Sequence, residues 1–332
     1  MMARAQLYPL TFAPVLKEKI WGGEMIRTCL GWEYPHLANC GEAWTLSGIP
    51  GSESPVARGA WAGATLGELG ERFGADLWGA ALYARYGNEC PVLVKFISTA
   101  DDLSIQVHPD DAMARREHKG RGKAEMWYVL QADPGAGLLS GFVRPVSQQE
   151  YLQYFHSGRL EEILRRVEVR PGDCFYLPPG QVHAIGRGIL LAEIQQASDI
   201  TYRIYDYDRR DAGGNKRELH VEKALEAMDF SAAGDPRTHY RLPQGDAAVP
   251  LVEAPFFSTS LIRTNGVLSR ELPLGESFTV YTCVEGAARI DTPAGECELK
   301  IGQCALIPAC IARVEIIPAG GREVRLLETR PK

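Results

Sequence analysis

Most of this chain is made of short apolar or alternating runs, each closed by Gly, Pro, Asn or Asp. Such runs predict strands separated by turns. They lie at 92–97, 103–107, 126–130, 174–177, 189–194 and 200–205, then at 256–263, 278–284, 287–291 and 314–317. Helical periods are fewer. Ser147 with Glu150 three residues on forms a capping-box pattern ahead of Tyr151, Leu152 and Phe155. Leu160, Ile163, Leu164 and Val167 follow the i, i+3, i+4, i+7 spacing and predict a helical stripe. Residues 222–228 predict a third short helix. The stretch 65–86 has helical character, interrupted by Gly67, Gly70, Gly74 and Gly79. The pattern predicts a mainly β protein, a sandwich or barrel with a few short helices.

The chain also repeats itself. Val169-Arg170-Pro171-Gly172-Asp173-Cys174-Phe175-Tyr176-Leu177-Pro178 reads against Leu299-Lys300-Ile301-Gly302-Gln303-Cys304-Ala305-Leu306-Ile307-Pro308, with Gly, Cys and Pro coinciding. Each copy predicts strand, glycine turn, strand and Pro-led loop, which suggests two related β-domains. The segment 229–249 is rich in Ala, Gly, Pro, Asp and Arg without an apolar period. It reads as a linker. The expected domains are therefore 1–230, a linker at 231–250, and 251–332.

Composition narrows the function classes. Of 332 residues, 36 are Lys or Arg and 42 are Asp or Glu, a formal net charge of −6. A broad basic face for nucleic acid or an anionic membrane is not expected from that balance. Any phosphate must meet a local cationic site. No apolar run is long enough for a membrane helix, and the N-terminal segment lacks a secretory pattern. The eight cysteines form no CxxC pair, which predicts reduced thiols in a cytoplasmic protein.

Candidate chemistry sits in four segments. In Ser104-Ile105-Gln106-Val107-His108-Pro109-Asp110-Asp111, strand alternation puts Ser104, Gln106 and His108 on one face. In Gly122-Lys123-Ala124-Glu125-Met126-Trp127-Tyr128, Glu125 leads directly into an apolar strand, where an ionised carboxylate needs a partner or a metal. In 177–186, His183 stands among apolar and turn residues and is expected to point inward. Two imidazoles and a carboxylate on converging strands suit zinc or another divalent cation, with Gln106 a candidate fourth, oxygen ligand. Singly, each has a plainer reading: a hydrogen-bonded core histidine, or a glutamate paired with Lys123. His36, His118, His156, His220 and His239 read as surface or capping residues. The fourth segment, 193–209, reads as one long strand. If unbroken, it puts Asp199, Thr201, Arg203 and Arg209 on one face. An arginine there suits a phosphate or a developing enolate oxygen; its plain alternative is an edge strand with Asp–Arg pairs.

These four segments, in this order and spacing, resemble the type I mannose-6-phosphate isomerases, most closely the short bacterial form. The resemblance runs from Ile20-Trp21-Gly22-Gly23 to about Phe230, with a weaker match beyond. It implies a cupin fold of two jelly-roll β-barrels. It implies one zinc per chain on His108, Glu125 and His183, with Gln106 as fourth ligand in many members. It further implies a catalytic Arg203, with Lys123, Glu193 and Asp199 around the sugar and Ser104 and Arg209 near the phosphate. Longer members carry a histidine where this chain has Gly122, so a ring-opening role for that histidine does not transfer. The repeat aligns Arg313 with His183, which predicts a second β-domain without metal.

The implied reaction is reversible conversion of mannose 6-phosphate to fructose 6-phosphate through a cis-enediol. Zinc and Arg203 would stabilise the enediolate, Lys123 would polarise the carbonyl or open the ring, and Glu193 and Asp199 are both candidates for the base. Two other classes share the fold: Fe(II) oxygenases with the same 2-His-1-carboxylate set, and non-catalytic sugar-phosphate-binding regulators. Monomer and homodimer stay equally open.

Overall fold

Alternation along the central strands sorts their residues into an apolar inner face and a polar end. The computed structural model describes residues 6–211, 213–232 and 234–332. Residues 1–5 and 212 of the expected first domain, and 233 of the expected linker, lie outside them. Backbone proximity divides the chain into two units. One is Lys17–Glu42 with Phe96–Thr238; the other joins the chain up to Leu16 with Ala43–Lys95 and His239–Lys332. The crossing after Thr238 falls inside the expected linker. The units are nevertheless discontinuous in sequence, unlike the contiguous 1–230 and 251–332 expected, and the end of the linker is already a strand, Ala247–Glu253.

The first unit carries the candidate chemistry. Its strands include β1 (Ile105–Val107), β2 (Glu125–Ala132), β3 (Gly137–Phe142), β4 (Leu164–Glu168), β5 (Cys174–Leu177), β6 (His183–Ile185), β7 (Ile189–Gln196) and β8 (Tyr202–Tyr205). One antiparallel sheet runs β8-β1-β6-β3-β4, and a second contains the run β7-β2-β5. Trp127 and Val129 of β2, Leu191 of β7, Phe175 and Leu177 of β5, Leu138 of β3 and Ile185 of β6 meet in one buried layer between them. With a side-chain period of two, Glu125 and His183 each stand one step from that layer on the same face, at its polar end.

The second unit has a six-stranded and a four-stranded antiparallel sheet around a separate apolar core. The repeat is visible in both units. Turns at 170–173 and 300–303 lead into Cys174–Leu177 and Cys304–Ile307. Each turn uses a glycine in the left-handed region, Gly172 at φ 94° and Gly302 at φ 86°, where a Cβ would be strained. Inside the second unit, Glu328 is buried and paired with Arg270, Arg330 and the Tyr281 hydroxyl, while Arg313 is exposed and pairs with Glu315.

Helix expectations fared unevenly. Ser147 caps Gln148–His156 by accepting from the Glu150 N–H, and Val221–Ala227 forms as expected. The 65–86 stretch becomes three short helices, broken at Gly74 and Gly79. The stripe at 160–167 is not a helix. It is a 3-10 turn, Leu160–Ile163, followed by β4, whose backbone bonds go to β3. Leu164 and Val167 enter different apolar clusters, so the apparent helical period served two faces of a strand. Among the described residues no helix is long and apolar enough to cross a membrane.

Candidate metal centre and active site

Three side chains distant in sequence arrive together because β1 and β6 are neighbours in one sheet, and β2 in the other sheet shares an apolar layer with β6. β6 lies between β1 and β3, with His183 opposite Gln106 of β1 and Ser140 of β3. Pro109 follows His108 directly, and Asp110 caps the helix Asp111–His118 by accepting from the Met113 N–H. The Lys123–Glu125 segment is pinned from two sides. Asp111 Oδ1 accepts from the Gly122 N–H and from Gln196, and Gln196 Oε1 accepts from the Ala124 N–H. Gly122 touches the backbone of Asp110 and Asp111 so closely that a Cβ would stand 2.6 Å from the Asp111 nitrogen. A histidine has no room there without a shift of this backbone.

Ligand atoms of His108, Glu125 and His183 all lie within 4.8 Å of one another, and all three residues are buried. His108 Nε2 is 3.3 Å from Glu125 Oε1, and His183 Nε2 is 3.6 Å from Glu125 Oε2. The other ring nitrogens face backbone carbonyls, His108 Nδ1 at 2.9 Å from Ile200 O and His183 Nδ1 at 2.8 Å from Gln181 O. A carbonyl only accepts, so both Nδ1 atoms carry a proton, and in the neutral ring each Nε2 presents its lone pair. Lone pairs therefore converge on carboxylate oxygens with no proton between them. Glu125 Oε2 has no hydrogen-bond partner. That donor set fits a divalent cation, and the Nδ1–H bonds are the outer contacts that orient metal-binding histidines.

Electrostatics keeps the donors ready. Burial, helped by Lys123 and opposed by Glu125, lowers His108 to about 3, so it is neutral at ordinary pH. Burial pushes the Glu125 carboxyl up, but the Lys123 ammonium beside it leads the opposing influences that hold it well below the usual carboxylate range. Lys123 Nζ is 2.8 Å from Glu125 Oε1 and 3.2 Å from His108 Nε2. Gln106 reaches the group with its amide nitrogen, 3.4 Å from His183 Nε2; as an oxygen ligand it needs its amide turned over.

The expected strand over 193–209 is broken. β7 ends at Gln196, β8 begins at Tyr202, and the two belong to different sheets. Asp199 and Thr201 sit in the connecting loop, and Asp199 is exposed. Glu193 instead lies on the inner face of β7, buried, accepting from the Trp127 indole at 3.0 Å. Trp127 in turn packs edge-on against His183 at 5.4 Å. Arg203 stands opposite Gln106 in the β8–β1 pair and so shares its face. Ser104 is buried just before β1.

Arg203 is held by a segment that the sequence patterns did not single out. Its N–H donates to His220 Nδ1 at 3.2 Å, and its Nη1 donates to Glu218 O at 2.8 Å. Burial, then the nearby Arg217, lowers its guanidinium from the ordinary value. Arg209 and Arg217 both donate to buried Asp206, which they hold below the usual carboxylate range despite its burial. Arg209 also pairs with Asp101 and donates to Asp102 O, so its guanidinium is extensively engaged. Two arginines thus share one buried acid. Arg217 lies in a polar stretch without apolar period, which left sequence patterning no signal for it. His118 is exposed, as expected, and its ring lies 2.9 Å from the Tyr202 hydroxyl.

Residues 10–132 match the catalytic domain of type I phosphomannose isomerase. The chain is 36% identical to a mannose-6-phosphate isomerase of Bacillus subtilis over 302 residues, 90% of this chain and 93% of the relative. It is 34% identical to a mannose-6-phosphate isomerase of Streptococcus mutans over 304 residues, 91% of this chain and 93% of the relative. Among solved structures, the mannose 6-phosphate isomerase of Bacillus subtilis superposes with a TM-score of 0.84 at 34% identity, covering 97% of this chain and 99% of the other.

Proposed function

The chain belongs to the type I phosphomannose isomerases, aldose–ketose isomerases, and from that membership we propose that it interconverts mannose 6-phosphate and fructose 6-phosphate at the His108–Glu125–His183 centre. The observation that carries the proposal is the convergence of two imidazole lone pairs and a buried carboxylate with an unpartnered oxygen. Zinc, one per chain, suits two nitrogens and one oxygen with a position left open. Gln106 is the candidate fourth ligand.

Held by His108, Glu125 and His183, a zinc ion would supply a fixed positive charge able to polarise the O1/O2 edge of the sugar. The protein's own groups do the rest. Lys123 donates from the rim of the centre and assists polarisation of the carbonyl or opening of the ring. Arg203, on the face of Gln106, opposes the negative charge that develops as a proton leaves carbon. Between the two candidate bases, burial on the same strand face as the centre favours Glu193, whereas Asp199 is exposed on its loop. We assign proton transfer between C1 and C2 to Glu193. The 6-phosphate needs cations in an acidic protein, and Arg209, with Ser104 as a hydroxyl donor, is the assigned anchor. Asp206 holds Arg209 and Arg217 at that end.

Metal analysis tests the centre. Purified protein is expected to hold one zinc per chain, and His108→Ala and His183→Ala each to lose it. Full retention of metal by both variants would reject the ligand set.

A further inference from the structure

Gln195 offers the site a single oriented oxygen. It stands opposite Glu125 in the β7–β2 pair, and opposite residues of an antiparallel pair project from one face. Glu193 and Leu191 precede it on that face, and Leu191 packs in the layer that also holds Trp127. The side chain is fully buried. Its Nε2 donates to Gln196 O at 2.8 Å and to Ser198 O at 2.5 Å. Both amide hydrogens are therefore used by carbonyls, which fixes the oxygen end of the amide. Gln195 Oε1 is left buried with no hydrogen-bond partner. An unpaired buried acceptor is destabilising, and this one belongs to a residue that stands opposite Glu125 and two positions after Glu193 on the same strand face.

Resting on the isomerase reading above, we propose that Gln195 Oε1 accepts a hydrogen bond from the substrate's C3 hydroxyl. The reacting edge of the sugar is O1 and O2, which the Glu125 centre addresses. The nearest hydroxyl that the reaction neither makes nor consumes is on C3. It is a donor in the aldose and in the ketose alike. An acceptor with no free hydrogen can hold it through the whole conversion. Such a contact, equal in ground and transition states, acts mainly on KM.

The test uses zinc-loaded protein, mannose 6-phosphate and its 3-deoxy analogue. Gln195→Met keeps the length of the side chain and removes the oxygen. Wild type is expected to prefer the 3-hydroxyl substrate in kcat/KM by about tenfold or more, because the analogue leaves a buried acceptor unpaired. In Gln195→Met that preference shrinks to about threefold or less while zinc content stays at the wild-type level. A merely structural defect depresses both substrates alike, so an unchanged ratio overturns the proposal. If the variant does not fold, wild type decides: the 3-deoxy sugar must lose about tenfold more than the 4-deoxy sugar, and equal losses overturn the assignment. Turnover of neither parent sugar nor analogue by wild type sinks the isomerase reading itself, together with this one; turnover with an unmoved ratio sinks this one alone.

Discussion

A carboxylate placed at the start of an apolar strand needs a cation beside it, and Lys123 Nζ stands 2.8 Å from Glu125 Oε1. Glu125 is buried, and Lys123, His108 and His183 all lie within 4.0 Å of its oxygens. The arrangement was legible in the chain: an acid leading into an apolar run, and histidines flanked by strand residues, are each anomalies that ask for a partner. The arginine is harder to read, because its partners, the His220 ring and the Glu218 carbonyl, lie in a later segment without apolar period. Its role is testable alone. Arg203→Ala is expected to lower kcat by about a hundredfold or more, the scale of losing one preorganised charge at the developing oxyanion, with bound metal unchanged. Steady-state kinetics with metal analysis checks it. Wild-type turnover would remove Arg203 from the chemistry.

Strands β7 and β8 show what periodicity alone leaves undecided. Ile189 to Tyr205 has strand composition throughout, and an unbroken strand would have aligned Asp199 with Arg203. A loop at 197–201 instead sends the chain from one sheet to the other. Local pattern carries no information about which sheet the next strand joins, so register had to come from tertiary pairing. The turn after β8 is strained as well. Tyr207 and Asp208 both adopt φ 55°, a left-handed conformation disfavoured for a bulky side chain. The ion pairs of Asp206 with Arg209 and Arg217 hold that turn, and Glu218 and His220 just beyond Arg217 bond Arg203. Asp206→Asn removes the shared charge. It is expected to raise KM for the sugar phosphate by about tenfold, equivalent to roughly 1.4 kcal/mol of lost binding, with a smaller effect on kcat. An unaltered KM would show that the arginines keep their places without Asp206.

On the scale of the whole chain, mainly β architecture and an internal repeat were both readable from turn residues. The positive φ of Gly172 and Gly302 supplies the physical reason the two copies look alike. The partition was less readable. Ala43–Lys95 joins the unit that contains the C-terminal strands, and no change of composition marks that crossing. The net charge of −6 leaves room for a local cationic site, since Arg209 and Arg217 are gathered on Asp206 and Arg203 lies in the same charged neighbourhood. The central claim is that a buried cation held by two histidines and a glutamate drives sugar-phosphate isomerisation. A coupled assay for fructose 6-phosphate formed from mannose 6-phosphate, run before and after chelation and again after zinc is restored, addresses it directly. Activity that disappears with the metal and returns at one zinc per chain is the expected result; undiminished turnover by fully metal-free protein would contradict it.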